Sequence, residues 1–148
     1  MFCNTGHRSL VTDHCNKGGL DLKILVVDDD FLILDVIQEF LTIENFNVIT
    51  TLSPVEALQI AVSDRPDCIL ADVVMPEMNG YELYIEIIKS YPDMKFIFVS
   101  GNVNEYDIKR ELNIDVPLIK KPFTRKEIVN IIKSNHQMAS GGNQPGVY

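Results

Sequence analysis

The sequence predicts an α/β fold, built as a doubly wound five-stranded parallel sheet between two layers of helices. Five short apolar runs recur along the chain, and a helical pattern follows each of them. The runs are mostly apolar throughout instead of alternating with polar residues, which is typical of strands covered on both faces of a parallel sheet. Right-handed crossovers between such strands favour the flavodoxin-like strand order 2-1-3-4-5 in a three-layer sandwich.

The predicted strands are rich in valine, isoleucine and phenylalanine. They are KILVVD (23–28), NVITT (47–51), DCILAD (67–72), KFIFVS (95–100) and VPLIK (116–120). Capping signals mark several of the helices between them. Residues 53–56, SPVE, combine an N-cap serine, a proline in the first turn and a capping-box glutamate. Residues 124–127 form a second capping box and open a last helix that ends near Asn135. The other predicted helices cover residues 31–43, 81–91 and 104–112.

Composition indicates one globular domain. The 148 residues can bury one proper core, and 46% hydrophobic with 23% charged residues is the balance of a folded protein. Both ends are polar and aperiodic. We therefore expect residues 1–20 to be an unstructured leader, residues 21–135 to be the domain, and residues 136–148 to be a flexible tail.

Charge and hydropathy argue against two kinds of partner. The formal net charge is −8 and no basic stripe appears, which disfavours nucleic acid. No apolar run approaches the roughly eighteen residues of a membrane span, and the start lacks the core of a signal peptide. We expect no membrane partner and a cytoplasmic location.

Cysteine usage gives little indication of a metal site. Cys3, His7, His14 and Cys15 could in principle bind zinc, but their spacing matches no common ligand pattern, so we favour an unstructured leader. Cys68 lies in an apolar strand and is expected to pack as a small hydrophobe.

Acidic residues follow two predicted strands, where a doubly wound sheet places its ligand site. Asp28, Asp29 and Asp30 follow the first strand, and Asp72 ends the third. These strand ends meet at the switch point of the sheet. The carboxylates would repel one another, and burial would raise the cost of each unpaired charge. Their convergence predicts a site for a hard divalent cation, and we expect Mg²⁺.

A hydroxyl and a lysine reach the same edge. Ser100 ends the fourth strand, and Lys121 follows the fifth just before Pro122. The lysine can neutralise an incoming phosphoryl oxygen, and the hydroxyl can donate a hydrogen bond to another. With a carboxylate nucleophile and a cation, these are the parts needed for phosphoryl transfer to an aspartate.

The chain resembles a receiver domain of two-component response regulators over about residues 21–135. ILVVDDD, ADVVMPEMNG, FVSG and KKPF occur in that family's order and at its spacing. The resemblance implies that Asp72 accepts a phosphoryl group from a sensor histidine kinase or a histidine phosphotransfer protein. It implies a signalling switch that catalyses only its own phosphorylation and dephosphorylation. Output would pass to a downstream protein, or to a homodimer formed through helix 4, strand 5 and helix 5.

The resemblance also assigns the metal ligands. Asp28 and Asp29 would form the acid pair that holds Mg²⁺. Asp29 and Asp72 would be direct ligands, and Asp28 would act mostly through water. The backbone carbonyl of Val74 would be a further ligand. Asp30 is expected to begin the first helix, where a carboxylate suits the exposed amides.

Other positions distinguish this chain within the resemblance. The resemblance implies that Lys121 is the family's catalytic lysine, since that lysine immediately precedes a proline, and Lys120 is expected to be a solvated charge at the strand end. Ser100 stands where many relatives carry threonine. Leu118 stands where the family has its switch aromatic. We therefore expect output through the backbone after strand 4 and the face of helix 4, strand 5 and helix 5.

Three alternatives stay open. The chain could be a receiver module from a hybrid sensor histidine kinase. It could be a receiver-like scaffold that is never phosphorylated, although Asp28, Asp29, Asp72, Ser100 and Lys121 are all present. It could also be an aspartate-nucleophile phosphatase. Such enzymes need a second carboxylate two residues after the nucleophile, where this chain has Val74.

Overall fold

The computed structural model describes residues 21–141, and it describes side chains as far as residue 136. Strands and helices alternate along this part of the chain. The strands are β1 (Lys23–Val27), β2 (Asn47–Thr51), β3 (Cys68–Asp72), β4 (Lys95–Ser100) and β5 (Leu118–Lys120). The helices are α1 (Phe31–Ile43), α2 (Pro54–Asp64), α3 (Gly80–Ser90), α4 (Glu105–Leu112) and α5 (Arg125–Gly141). Of these five helices, none has the length and apolar character needed to cross a membrane.

The sheet topology confirms the predicted fold. All neighbouring strands are parallel, in the order β2-β1-β3-β4-β5. One cluster of buried residues joins the sheet to α1 and α5, and a second joins it to α2, α3 and α4. The central strands are therefore covered on both faces, which explains their nearly continuous apolar sequences.

Two element boundaries differ from the prediction by more than one residue. Strand β5 begins at Leu118 instead of residue 116, because Val116 and Pro117 lead into the strand without forming a parallel pair with β4. Helix α5 continues to Gly141, past the predicted end near Asn135. No proline or glycine interrupts it before Gly141, so the sequence contains no strong stop signal at the predicted end.

The two predicted capping boxes have different outcomes. At α5 the box forms: Glu127 N–H donates to Thr124 Oγ1 at 3.1 Å, and Thr124 N–H donates to Glu127 Oε1 at 3.0 Å. At α2 only half of it forms, with Glu56 N–H donating to Ser53 Oγ at 3.1 Å. The Ser53 N–H instead donates to the hydroxyl of Thr51, and that hydroxyl donates to the Glu56 carboxylate. Thr51 therefore lies between the two partners of the predicted box.

The sequence predicts that Phe31, Leu34, Phe40, Phe96 and Phe98 belong to the core, and the structure agrees for all of them except Phe31. Leu34, Phe96 and Phe98 are buried, and Phe40 is half-buried against the core. Phe31 is 65% exposed. It is the first residue of α1 and lies at the carboxyl edge of the sheet, where helical spacing does not guarantee cover from a strand beneath. An exposed phenylalanine thus follows directly after the acidic cluster.

Cys68 is a buried free thiol, as predicted for a small core residue. Burial raises the pKa of this thiol to about 12, so it stays protonated near neutral pH. The four residues considered as zinc ligands (Cys3, His7, His14 and Cys15) lie outside the described part of the chain.

Candidate functional site

Carboxylates from two strand ends meet a single lysine at the carboxyl edge of the sheet. Lys121 Nζ lies 3.1 Å from Oδ2 of Asp28 and 3.2 Å from Oδ2 of Asp72. One carboxylate oxygen each from Asp28, Asp29 and Asp72 lies within 4.8 Å of the others. Three acidic groups and one ammonium therefore share one small site.

The parallel topology produces this convergence. Strand β1 pairs with β3 in a register that matches Val27 with Ala71, so the residues that follow, Asp28 and Asp72, are neighbours. At the other side, Lys121 N–H donates to the carbonyl of Ser100 at 3.1 Å. The site therefore lies at the switch point between β1 and β3, where the sequence predicted it.

Asp28 is the most enclosed acid of the group, with 1% of its surface exposed. Its Oδ1 accepts from the Asp30 N–H at 2.8 Å, while Oδ2 accepts from Lys121. Burial raises the pKa of Asp28, and the nearby charge of Asp72 raises it further. The Asp30 amide and Lys121 lower this pKa but do not offset the increase. An added positive charge would therefore stabilise the ionised form.

Asp29 and Asp30 have different environments from Asp28. Asp29 is exposed, so its carboxylate is accessible from solvent. Asp30 is the N-cap of α1, as predicted, and its Oδ1 accepts from the Leu32 N–H at 2.9 Å. That bond satisfies one of the free amides at the start of the helix.

Lys121 retains its positive charge at this site. Burial alone would lower the pKa of Lys121, but the charges and hydrogen bonds of Asp28 and Asp72 outweigh it. The net pKa lies above the ordinary lysine value. The ammonium is thus fixed between two acids and stays charged throughout the neutral range.

Asp72 is held at the end of β3 by the chain that follows it. It is 8% exposed, and its Oδ1 accepts from the Val74 N–H at 3.3 Å. The Gly80 N–H donates to the Val73 carbonyl at 2.8 Å, which brings the start of α3 against the end of β3. The Val74 side chain is 55% exposed and apolar. Asp72 is therefore anchored by the backbone that follows β3 and retains a small exposed fraction.

Gly80 belongs to the Asn-Gly pair that the sequence predicts to shape the loop after Asp72, and the structure adds which backbone atoms it approaches. A Cβ atom at this position would lie 2.4 Å from the backbone carbonyl oxygen of Asp72 and 2.8 Å from Cα of Val73. The glycine thus allows α3 to begin directly against the acceptor strand. The Asn-Gly pair before a helical pattern was the available signal, but it indicates a helix start without identifying the backbone that the glycine approaches.

Ser100 and Lys120 both contact the loop after β4. Ser100 is buried, and its Oγ accepts from the Asn102 N–H at 3.3 Å. Lys120 was expected to be a solvated charge, and that expectation was incomplete. Its side chain is exposed, but Nζ donates to the Val103 carbonyl at 2.8 Å. This bond could not be predicted from the sequence, because its acceptor is a backbone oxygen 17 residues before Lys120.

Comparisons with known proteins agree with this geometry. The profile of the response regulator receiver domain matches residues 24–133. Response regulator SaeR of Staphylococcus aureus (strain USA300) is 34% identical over 107 residues, which cover 72% of this chain and 46% of SaeR. The matched region is 46% of the relative's length, so the chain spans about half the length of the curated relatives that it matches.

Solved receiver structures are similar in fold. A two component transcriptional regulator AraC from Clostridium phytofermentans ISDg superposes with a TM-score of 0.66 at 34% identity, covering 79% of this chain and 93% of that one. A CheY-like response regulator receiver domain protein from Methanospirillum hungatei JF-1 has a TM-score of 0.75 at 29% identity, covering 82% and 98%. The chain belongs to the response regulator receiver domain family of two-component signalling, and its fold is that of a CheY-like receiver.

Proposed function

We propose that the protein is a cytoplasmic switch in which Asp72 accepts a phosphoryl group from a phosphohistidine donor. The observation that carries this proposal is the position of Lys121, whose ammonium contacts both Asp72 and Asp28. A nucleophilic carboxylate beside a fixed positive charge suits the transfer of a dianionic group. The donor would be a sensor histidine kinase or a histidine phosphotransfer protein.

The chain's own residues have distinct roles in this transfer. A carboxylate oxygen of Asp72 attacks phosphorus, the P–N bond breaks, and its electron pair leaves with the imidazole. An acyl phosphate forms on Asp72. Lys121 neutralises charge on a phosphoryl oxygen, and the Ser100 hydroxyl donates to another after it leaves the Asn102 amide. Both groups stand beside the acceptor strand before the reaction, so the rearrangement is confined to the Ser100 side chain.

The acidic residues fit a magnesium site. Asp28, Asp29 and Asp72 present oxygen ligands close together, and one lysine does not balance their charges. These carboxylates and the Val74 carbonyl would hold Mg²⁺, which would supply positive charge for the phosphoryl oxygens. The raised pKa of Asp28 agrees with a position where a cation is favourable.

The competing functions have less support. A phosphatase of the aspartate-nucleophile class needs a carboxylate two residues after its nucleophile. This chain has the apolar Val74 two residues after Asp72. A scaffold that is never phosphorylated would have no need for Lys121 to contact both acids. A receiver module of a hybrid sensor kinase would use the same chemistry.

We propose that the phosphorylated domain signals through the face of α4, β5 and α5. This face would bind a downstream protein or form a homodimer.

Transfer from phosphoramidate tests this function, because its P–N bond resembles that of phosphohistidine. With Mg²⁺ present, we expect one equivalent of phosphoryl group to be taken up per chain, followed in ³¹P NMR. We expect no sustained hydrolysis of the ester p-nitrophenyl phosphate. Continuous turnover of the ester would instead favour the phosphatase.

We expect Mg²⁺ affinity to fall as the pH is lowered through the raised pKa of Asp28. A proton and the cation compete for Asp28, and burial raises the pKa of Asp28 above its ordinary value of 3.8. The loss should therefore begin at a higher pH than for an exposed aspartate. Below the raised pKa, affinity should fall by about tenfold per pH unit.

Isothermal titration with Mg²⁺ at several pH values measures this effect. Asp28→Asn cannot ionise at this position, so it should bind Mg²⁺ more weakly at about pH 8 and show a flatter pH profile. Equal profiles for the wild type and the variant would show that Asp28 does not set the metal affinity.

A further inference from the structure

We propose that Lys120 holds the loop after β4 in its unphosphorylated conformation and so limits how readily the domain switches. The loop comprises residues 101–104, between β4 and α4. The inference rests on the proposed function, because switching here means the response to a phosphoryl group on Asp72. It assigns a role to a lysine that makes no contact with the acidic site.

The position of Lys120 separates it from its neighbour Lys121. Lys120 is the last residue of β5, Lys121 is the first residue after it, and their ammonium groups have different partners. Lys121 contacts the acids, whereas Nζ of Lys120 donates to the Val103 carbonyl at 2.8 Å. Within residues 21–136, no carboxylate forms an ion pair with Lys120. The backbone carbonyl is therefore the partner that fixes this ammonium.

The loop has two further attachments, one on each side of Val103. Before it, the Asn102 N–H donates to Ser100 Oγ at 3.3 Å. After it, Asn104 caps α4, and Asn104 and Asp107 exchange reciprocal hydrogen bonds of 3.0 Å. When the Ser100 side chain rotates to donate to a phosphoryl oxygen, its oxygen leaves the Asn102 N–H, and this amide loses its acceptor. The bond to Lys120 then remains as the restraint on the middle of the loop.

The core beneath the loop makes a backbone movement the available route for the switch. Val103 is half-buried and packs against the cluster that contains Leu118. Leu118 has no aromatic ring that could turn inward to report phosphorylation. A shift of the loop would carry the Val103 carbonyl away from Lys120, so this hydrogen bond favours the conformation without a phosphoryl group.

Lys120→Met and Lys120→Arg test the inference in the full chain. Methionine keeps an aliphatic stem without the donor, and arginine keeps both the charge and a donor. Without a phosphoryl mimic, we expect amide hydrogen exchange over residues 101–104 to be faster in Lys120→Met than in the wild type. We expect no such increase in Lys120→Arg. With Mg²⁺ and beryllofluoride, we expect Lys120→Met to bind the mimic about three- to tenfold more tightly than the wild type, as loss of one hydrogen bond of typical net strength suggests.

The direction of the affinity change makes the test specific. Removing a positive charge near the phosphoryl site would by itself weaken binding of an anionic mimic, so tighter binding supports release of the loop. Unchanged exchange, or an affinity equal to or weaker than that of the wild type, would overturn the role of Lys120. If the wild type itself fails to bind beryllofluoride, the proposed function is rejected, and unaltered exchange in Lys120→Met would still reject the restraint separately.

Discussion

Gly80→Ala should destabilise the domain by about 1–3 kcal/mol in the free energy of unfolding, the range for forced overpacking. The added Cβ would lie 2.4 Å from the Asp72 carbonyl oxygen and 2.8 Å from Cα of Val73. Both are backbone atoms at or just after the end of β3, so no side chain can rotate to make room. Helix α3 or the end of β3 must move, and either movement displaces Asp72.

Urea denaturation of Gly80→Ala and of Gly101→Ala measures this effect against a matched control. A Cβ at Gly101 would be 3.6 Å from Cβ of Lys121, which is an ordinary van der Waals contact. We therefore expect Gly101→Ala to stay within about 0.5 kcal/mol of the wild type. If the two variants were equally stable, the close approach of α3 to the acceptor strand would be refuted.

Lys121→Met should slow phosphorylation of Asp72 by about a hundredfold, the scale seen when one preorganised donor to a developing charge is lost. The ammonium now lies 3.2 Å from Oδ2 of Asp72 and 3.1 Å from Oδ2 of Asp28. Methionine fills similar space but leaves both carboxylates without this charge. The same change should strengthen Mg²⁺ binding, because the cation no longer competes with an ammonium for these oxygens.

The opposite signs of these two effects distinguish a chemical role from a structural one. A merely disordered site would lose both Mg²⁺ binding and phosphorylation, so both are measured on the same preparation. Lys121→Arg keeps the charge and should retain more of the phosphorylation rate than Lys121→Met. A Lys121→Met protein that is phosphorylated at the wild-type rate would exclude Lys121 from the transfer.

The sequence was sufficient for the fold and for the position of the acidic residues because both depend on rules of parallel sheets. Apolar strands and right-handed crossovers restrict the topology, and the topology brings the carboxyl ends of β1 and β3 together. The sequence alone therefore predicts that Asp28 and Asp72 are neighbours. The contact of Lys121 with both acids is a side-chain detail that the structure adds.

Features that depend on the choice of hydrogen-bond partner, or on what covers a side chain, could not be predicted. Glu56 had the spacing of a capping-box residue, but the hydroxyl of Thr51 accepts from Ser53 and donates to Glu56. Phe31 had helical spacing with Leu34, but it lies at the edge of the sheet and is exposed. Lys120 binds a backbone carbonyl, and backbone acceptors have no sequence signature. Periodicity specifies a face of a helix or strand and does not specify what covers it.

The most direct test of the central claim is the intact mass of the protein after incubation with phosphoramidate and Mg²⁺. Asp72→Asn, which keeps a side chain of similar shape, and a sample with excess chelator are the controls. We predict one added phosphoryl group on the wild type and none on either control. No adduct on the wild type, or an equal adduct on Asp72→Asn, would contradict a magnesium-dependent acceptor at Asp72.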